Sequence, residues 1–290
     1  MSQLKDVNTD DIHDAIRQGC KVMQSVFNSD DMNVPFFDVV AWPDAKMDFS
    51  GSYSEAHVPG RHLNALLNAQ DTVHVDIDEE AVEKHVRATF LSYSGPVMLP
   101  MNRSEAGGSL VNFAPHNVRE GFHALYALAK YRGSEKAKSV AEASISEILR
   151  YWDPLRGWDF AELEKYHQVK CRRDEFIRGI ARAIGPLVKY YRSMDYQPAF
   201  DLASNLKDIA TQGFFGADGM YDGDRFGHHT HSTTCVLSSL AQLADLTNDA
   251  TLMGRVKAFY DNGLQDIRDP LGWVIESSRS DAVPDRGEVN

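Results

Sequence analysis

Apolar residues recur along this chain at the spacing of a helix stripe. Val118, Phe122, Leu125, Tyr126 and Ala129 stand at i, i+4, i+7, i+8 and i+11, and Ala141, Ile145, Ile148, Leu149 and Trp152 repeat that spacing. Its first four positions return as Leu202, Leu206, Ile209 and Ala210, as Val236, Leu240, Leu243 and Ala244, and as Leu252, Val256, Phe259 and Tyr260. A period near 3.6 puts such residues on one face of an amphipathic helix. Alternating patterns are scarce; VHVDID at 73–78 is the best of them and predicts one short strand. The pattern therefore predicts an all-α chain.

The predicted helices come in pairs. They fall at roughly 57–70 with 79–94, at 116–152 split by Gly133-Ser134, at 174–192 with 196–213, and at 231–266 split by Asn248-Asp249. Links this short make antiparallel neighbours. A further helix at roughly 10–27 follows Asn8-Thr9-Asp10-Asp11, good N-cap chemistry. DPLRGW at 153–158 returns as DPLGW at 269–273, 116 residues on. Asp-Pro and Gly stop a helix, but the tryptophan returns at the same phase as well. Residues 28–56 form a long connection rich in Asp, Pro, Gly and aromatics, a length that usually signals function.

His57, His116, Asp174, His231 and Glu288 mark five expected helix starts, separated by 59, 58, 57 and 57 residues. Such a fixed period is the signature of a repeat architecture. Tandem hairpins of about 58 residues predict an α/α toroid, whose inner helices run parallel and open at one mouth. Six hairpins need on the order of 350 residues. The 290 residues are thus expected to form a single α/α-toroid domain over 1–290, an incomplete (α/α)6 barrel missing its last hairpin or hairpins. The first helix and the one around 249–266 should then carry exposed apolar edges.

A net charge of −12 argues against non-specific nucleic-acid binding and against anionic membrane surfaces. No run approaches the roughly 20 apolar residues of a membrane span. The start, MSQLKDVNTDD, lacks the basic and apolar regions of a signal peptide, so a cytoplasmic location is expected. Cys20, Cys171 and Cys235 read as reduced thiols. No phosphate loop, dinucleotide turn, nucleophile elbow or zinc-protease helix occurs, and no cofactor is expected. Oligomeric state stays open.

The mouth carries the candidate chemistry. Inner-helix N-termini expose unpaired N–H groups and favour anions. His57 and Arg61 sit in EAHVPGRHLNALL, His116 and Arg119 in APHNVREGF, and His228, His229 and His231 in GHHTHSTT. Arg172-Arg173 precedes Asp174, and Arg286 precedes Glu288. Arginine suits bidentate carboxylate recognition. The plainer role for a histidine at a helix start is a cap or a packed ring, and for Arg172-Arg173 a solvated pair. Phase favours the functional role, since three histidines recur where one face is expected. GHHTHSTT also invites a metal, but no Cys or Glu stands beside it at a familiar spacing, and no metal is expected. Asp174 and Glu288 are candidate catalytic carboxylates, held ionised at helix starts. Glu276, in GWVIESS, is a candidate acid, and Asp222 and Asp224 are weaker ones that read equally as turn residues. Phe36, Phe37, Trp42, Tyr53, Trp158, Tyr221 and Trp273 crowd the loops, where aromatic faces suit sugar rings or simply cover helix ends.

The segments EAHVPGRHLNALL, RRDEFIRGIARAIGPLVKYYRS, HTHSTTCVLSSLAQLADLT and DPLGWVIESSRS…DRGEVN resemble α/α-toroid carbohydrate-active enzymes, in particular a group related to glycoside hydrolase family 154. The resemblance spans most of residues 50–290. It implies exo-β-glucuronidase activity, removal of a terminal uronic acid from a glycan. In that group the RGEVN-like segment runs on into a further helix, which this sequence lacks. The expected site is Glu288, Asp174 and Glu276 as catalytic carboxyls, with His57, Arg61, His116, Arg119, His229, His231, Trp273 and Arg286 binding an acidic carbohydrate. Two alternatives remain: a polysaccharide lyase with a His or Tyr base, and a non-catalytic helical-repeat carbohydrate-binding protein.

Overall fold

The computed structural model describes residues 11–40 and 43–268. Among them are eleven α-helices. α1 is Ile12–Met23, α2 Val58–Val73, α3 Glu79–Ser92, α4 Asn117–Arg132, α5 Glu135–Tyr151 and α6 Phe160–His167. α7 is Ile184–Met194, α8 Gln197–Gly213, α9 Gly223–Phe226, α10 Thr230–Thr247 and α11 Ala250–Asp261.

The hairpins α2–α3, α4–α5, α7–α8 and α10–α11 stand side by side, with α2, α4, α7 and α10 packed in sequence as the inner row. This is the expected all-α, toroid-like arrangement, with four hairpins among the described residues. α1 lies against α2. Inner α4 is buried almost throughout its first three turns, because neighbours surround it. Outer α5 buries only a narrow stripe, Ala137, Ala141, Ser144, Ile145, Ile148 and Tyr151, and leaves Leu149 exposed. Tyr260 on α11 is likewise exposed, so these two members of the expected stripes face outward. The anticipated apolar edge shows in part: Ile12 and Val22 on α1 and Met253 and Tyr260 on α11 are all exposed.

Close approach of inner helices depends on small residues. A Cβ on Gly60 of α2 would lie 1.8 Å from the Glu120 carbonyl oxygen of α4, and one on Gly185 of α7 would lie 2.7 Å from Ser239 Oγ of α10.

Two expectations need correction. Residues 73–78 form no strand: Val73 ends α2, His74 turns left-handed at φ 53°, and the rest is irregular until Asp78 caps α3. The helix expected at 174 begins later, as a 3₁₀ turn at Ile180–Ala183 leading into α7. The residues around 174 are held elsewhere, the Arg172 N–H on the Phe113 carbonyl and Asp174 on His116, while Pro186, with no N–H for the Arg182 carbonyl, accounts for the 3₁₀ turn just before α7.

Short strands, unforeseen by periodicity, stitch the mouth loops. β1 (Phe27–Asn28) pairs with β2 (Val34–Pro35), and β3 (Asp38–Val40) with β4 (Lys46–Asp48). β5 (Met101–Arg103) pairs antiparallel with β6 (Leu110–Phe113). β7 (Trp152–Asp153) and β8 (Gly157–Trp158) form the DPLRGW hairpin. β9 (Lys170–Cys171) lies parallel to β6, and the Arg172 N–H donates to the Phe113 carbonyl at 2.9 Å. The long 28–56 connection is clamped from below. Arg103, itself buried, pairs bidentately with Asp31 and also with Glu55. Asn102 Oδ1 accepts from the N–H groups of Glu55 and Ala56 at 3.1 and 3.0 Å.

Candidate functional site

Three outer helices follow ordinary capping rules: Asp78, Ser134 and Asp249 accept from the first-turn amides of α3, α5 and α11, while Tyr196 leaves outer α8 without a side-chain cap. Inner α2 and α4 start differently. His57 and His116 occupy the N-cap positions of α2 and α4 without a side-chain bond to the helix. Their rings turn sideways. His57 Nδ1–H donates to Asn117 Oδ1 at 3.1 Å, an orientation fixed because Asn117 Nδ2 donates to the Ser52 carbonyl. His116 Nδ1–H donates to Asp174 Oδ2 at 2.8 Å. For these two the capping explanation fails. For His229 it holds, since its Nδ1 accepts from the Ser232 N–H at the start of α10.

These groups close around a cavity of about 140 Å³, roughly ten times the 10–15 Å³ that one water needs. His57, Arg61, His116, Asp174, His229 and His231 all line it. Phe37 and Tyr53 of the long connection also reach it, as do Arg172, Arg178, Arg182 and Ser232. The Tyr53 ring packs at a 31° tilt against Phe37, with centroids 4.3 Å apart, and lies near His57 and His116 at 5.2 and 5.4 Å.

Behind the cavity stands Glu120, fully buried on α4. Its Oε1 accepts from Arg119 Nη1 at 2.9 Å, Arg61 Nε at 3.2 Å and Arg182 Nη2 at 3.4 Å, and His57 Nε2 lies 3.6 Å away. Burial alone would push this carboxyl up; the arginines outweigh it and hold it well below the usual carboxylate range. Asp174 is governed the same way: burial opposes ionisation, but His116 and Arg172, whose Nε donates at 2.8 Å, keep its carboxyl low. Burial pushes the His57 and His116 rings down, and for His116 it outweighs the opposing pull of Asp174. The neutral His57 and His116 rings and the ionised Glu120 and Asp174 thus meet four cavity-lining guanidiniums, those of Arg61, Arg172, Arg178 and Arg182. Among the described residues these guanidiniums outnumber the carboxylates they meet, Glu120, Asp174 and, 3.8 Å from Arg178, Glu175, inside a chain of net charge −12.

Other candidates sit elsewhere. Arg119 bonds Glu120 but does not line the cavity. Arg173 forms a two-pronged surface pair with Glu164. Asp222 caps α9, and Asp224 pairs with His228. Trp158 packs on Phe113 and Phe160, and Tyr221 on Phe226 and Phe259, so both cover helix ends. Trp42, Trp273, Glu276, Arg286 and Glu288 lie outside the described residues. Sequence reasoning missed Glu120, Arg178 and Arg182. Glu120 and Arg182 are charged residues within otherwise apolar helical stretches, and that was the available signal. Among the described residues no three His, Cys, Asp or Glu side chains gather as a metal site. No described helix is long and apolar enough to cross a membrane.

No protein-family model matches the chain, and no curated protein does. Among solved structures it is similar in fold to the crystal structure of a sugar epimerase from a ruminal bacterium. The TM-score is 0.66 at 13% identity, over 94% of this chain and 77% of that one. At that identity the likeness establishes the fold.

Proposed function

We propose that this chain is a carbohydrate-active enzyme whose cavity seats an acidic sugar by its carboxylate and hydrolyses the glycosidic bond of that terminal uronate. One observation carries the reading: the cavity has a surplus of guanidiniums, while Glu120 and Asp174 are already committed to internal partners. The cavity's size fits one sugar unit, and Phe37 with Tyr53 offers aromatic faces to its C–H side. The fold neighbour, a sugar epimerase, agrees with carbohydrate as the substrate class. Hydrolysis itself follows from the family resemblance.

A second reading is elimination at the same uronate, as in a polysaccharide lyase. The neutral His116 ring favours it, since a base facing an arginine-bound carboxylate suits removal of the proton alpha to that group.

The test compares an aryl β-glucuronide with the matching aryl β-glucoside and follows products. Hydrolysis releases saturated glucuronate; elimination gives an unsaturated, ultraviolet-absorbing sugar. A charge-assisted contact is worth ~1.5–3 kcal/mol, so the glucuronide should bind on the order of tenfold to a hundredfold tighter. Equal affinity for both glycosides would end the acidic-sugar reading.

A further inference from the structure

We propose that Asp174 is a positioning residue and that His116 Nε2 is the proton acceptor of the cavity. Three geometric facts carry this. Asp174 takes the Nδ1–H of His116 at 2.8 Å, so the neutral ring has its lone pair on Nε2. The other oxygen of Asp174 is held by Arg172 Nε at 2.8 Å, and Arg172 Nη1 donates onward to the Tyr53 hydroxyl at 3.2 Å. Asp174 therefore has one oxygen on each of two fixed partners, which leaves it a poor nucleophile. Finally, His116 Nε2 is buried beside the cavity without a hydrogen-bond partner. A buried acceptor left unpaired is costly and calls for an explanation; a ligand in the cavity supplies one.

The backbone supports the same assignment. β6 leads into His116 and β9 leads into Asp174, and the two strands pair in parallel just before these residues. The pair is set by strand register and by the Arg172 N–H bond to Phe113. The charged and titratable groups facing His116 are Asp174, Arg172, Arg182, His57 and Tyr53.

The chemistry rests on the acidic-sugar reading for the identity of the ligand. A water donates its proton to Nε2 as its oxygen bonds to the anomeric carbon. The bond from that carbon to the leaving oxygen breaks, its electron pair stays with that oxygen, and a solvent water supplies the proton there. The imidazolium formed is stabilised by Asp174, and the aspartate does not itself take up the proton.

Two measurements test this, one independent of turnover. Nitrogen NMR of the unliganded protein near neutral pH should show His116 protonated at Nδ1 and bare at Nε2. In Asp174→Asn the amide can donate to Nδ1 and should move the proton to Nε2. A His116 ring bare at Nδ1 in the unmutated protein overturns the proposal, whatever the substrate proves to be. In kinetics, His116→Gln should bind glucuronate within about threefold of the parent and lose on the order of 10³-fold or more in kcat. Asp174→Asn should lose kcat by up to about 10⁴-fold, the scale of a wrong tautomer in a comparable dyad. It should also shift the acid limb of the pH–rate profile downward, because the group that raises the His116 pKa is gone. Imidazole added to His116→Ala should restore part of the rate. Retention of a tenth of the activity by His116→Gln overturns the assignment. If the parent turns over no uronoside, the functional reading fails, while NMR still decides the dyad.

Discussion

Arg61 and Glu120 meet at 3.2 Å across the seam between α2 and α4, although 59 residues, one repeat, separate them in sequence. The contact exists because Gly60 lets the two backbones approach until α4's carbonyl occupies the space of a Cβ. Glu120 in turn holds Arg182 from the start of the next inner helix. One buried carboxylate thus aligns two cavity-lining arginines from two different repeats.

Glu120→Gln keeps the shape and removes the charge. The buried guanidinium of Arg182 then loses the charge of its Glu120 partner. Breaking one side of a buried pair typically costs about 3–5 kcal/mol. Urea unfolding should show a loss on that scale, with weaker glucuronate binding under native conditions. A loss below about 1 kcal/mol would remove Glu120 from its anchoring role.

Two glycines should respond in opposite directions. Gly60→Ala forces α2 and α4 apart, an overpacking cost of about 1–3 kcal/mol or more. Gly254, inside α11, has open space around its Cβ position, so Gly254→Ala should gain up to about 1 kcal/mol from helix propensity. Thermal unfolding of both variants checks the pair.

Arg182→Met removes a cavity charge and retains most of the side-chain bulk. Affinity for glucuronate should fall on the order of tenfold to a hundredfold, as for one charge-assisted contact, while affinity for glucose stays unchanged. Calorimetry with both sugars reads this directly; an equal loss for the two would point to collapse of the cavity.

Stability should depend on pH through buried histidines. Burial pushes His85 down to about 4, and His62 and His123 to about 3. The folded rings resist a proton that the unfolded chain takes up near 6.5. Their contribution is therefore complete above about pH 6.5 and is lost progressively as pH falls toward 4 and 3. His85 Nε2 also meets the Met23 carbonyl at the end of α1 and lies 3.3 Å from His62 Nδ1. His85→Asn should flatten the acid slope of unfolding free energy against pH by up to one proton, and an unchanged slope would exclude His85 as a contributor.

The inner row was legible because its signal is periodic: apolar stripes and a 58-residue phase needed no knowledge of partners. His57, His116 and His231 came from that phase alone, and the cavity brings them together. Glu120 was hidden for the opposite reason. Its role depends on Arg61 and Arg182, one repeat away on either side, and no local pattern shows that a charge inside an apolar stretch has found partners. The short strands escaped as well, since two- and three-residue ladders are decided by which loops are brought close and hardly at all by alternation. Pro186 marks the 3₁₀ turn before α7, but no local pattern shows that the segment ahead of that turn is held by β9 with Asp174 beside His116.

That strand pairing sets how the site bears deformation. The spacing of His116 and Asp174 is controlled by β6 and β9, whose paired residues lie three and four positions before either side chain, whereas the spacing of α4 and α7 depends on many side-chain contacts. Helices that slide or breathe with temperature can change the cavity's width without separating the pair. Substitutions in the helical core should then alter which sugars fit long before they disturb proton transfer, so specificity can drift through evolution while the chemistry is held in place.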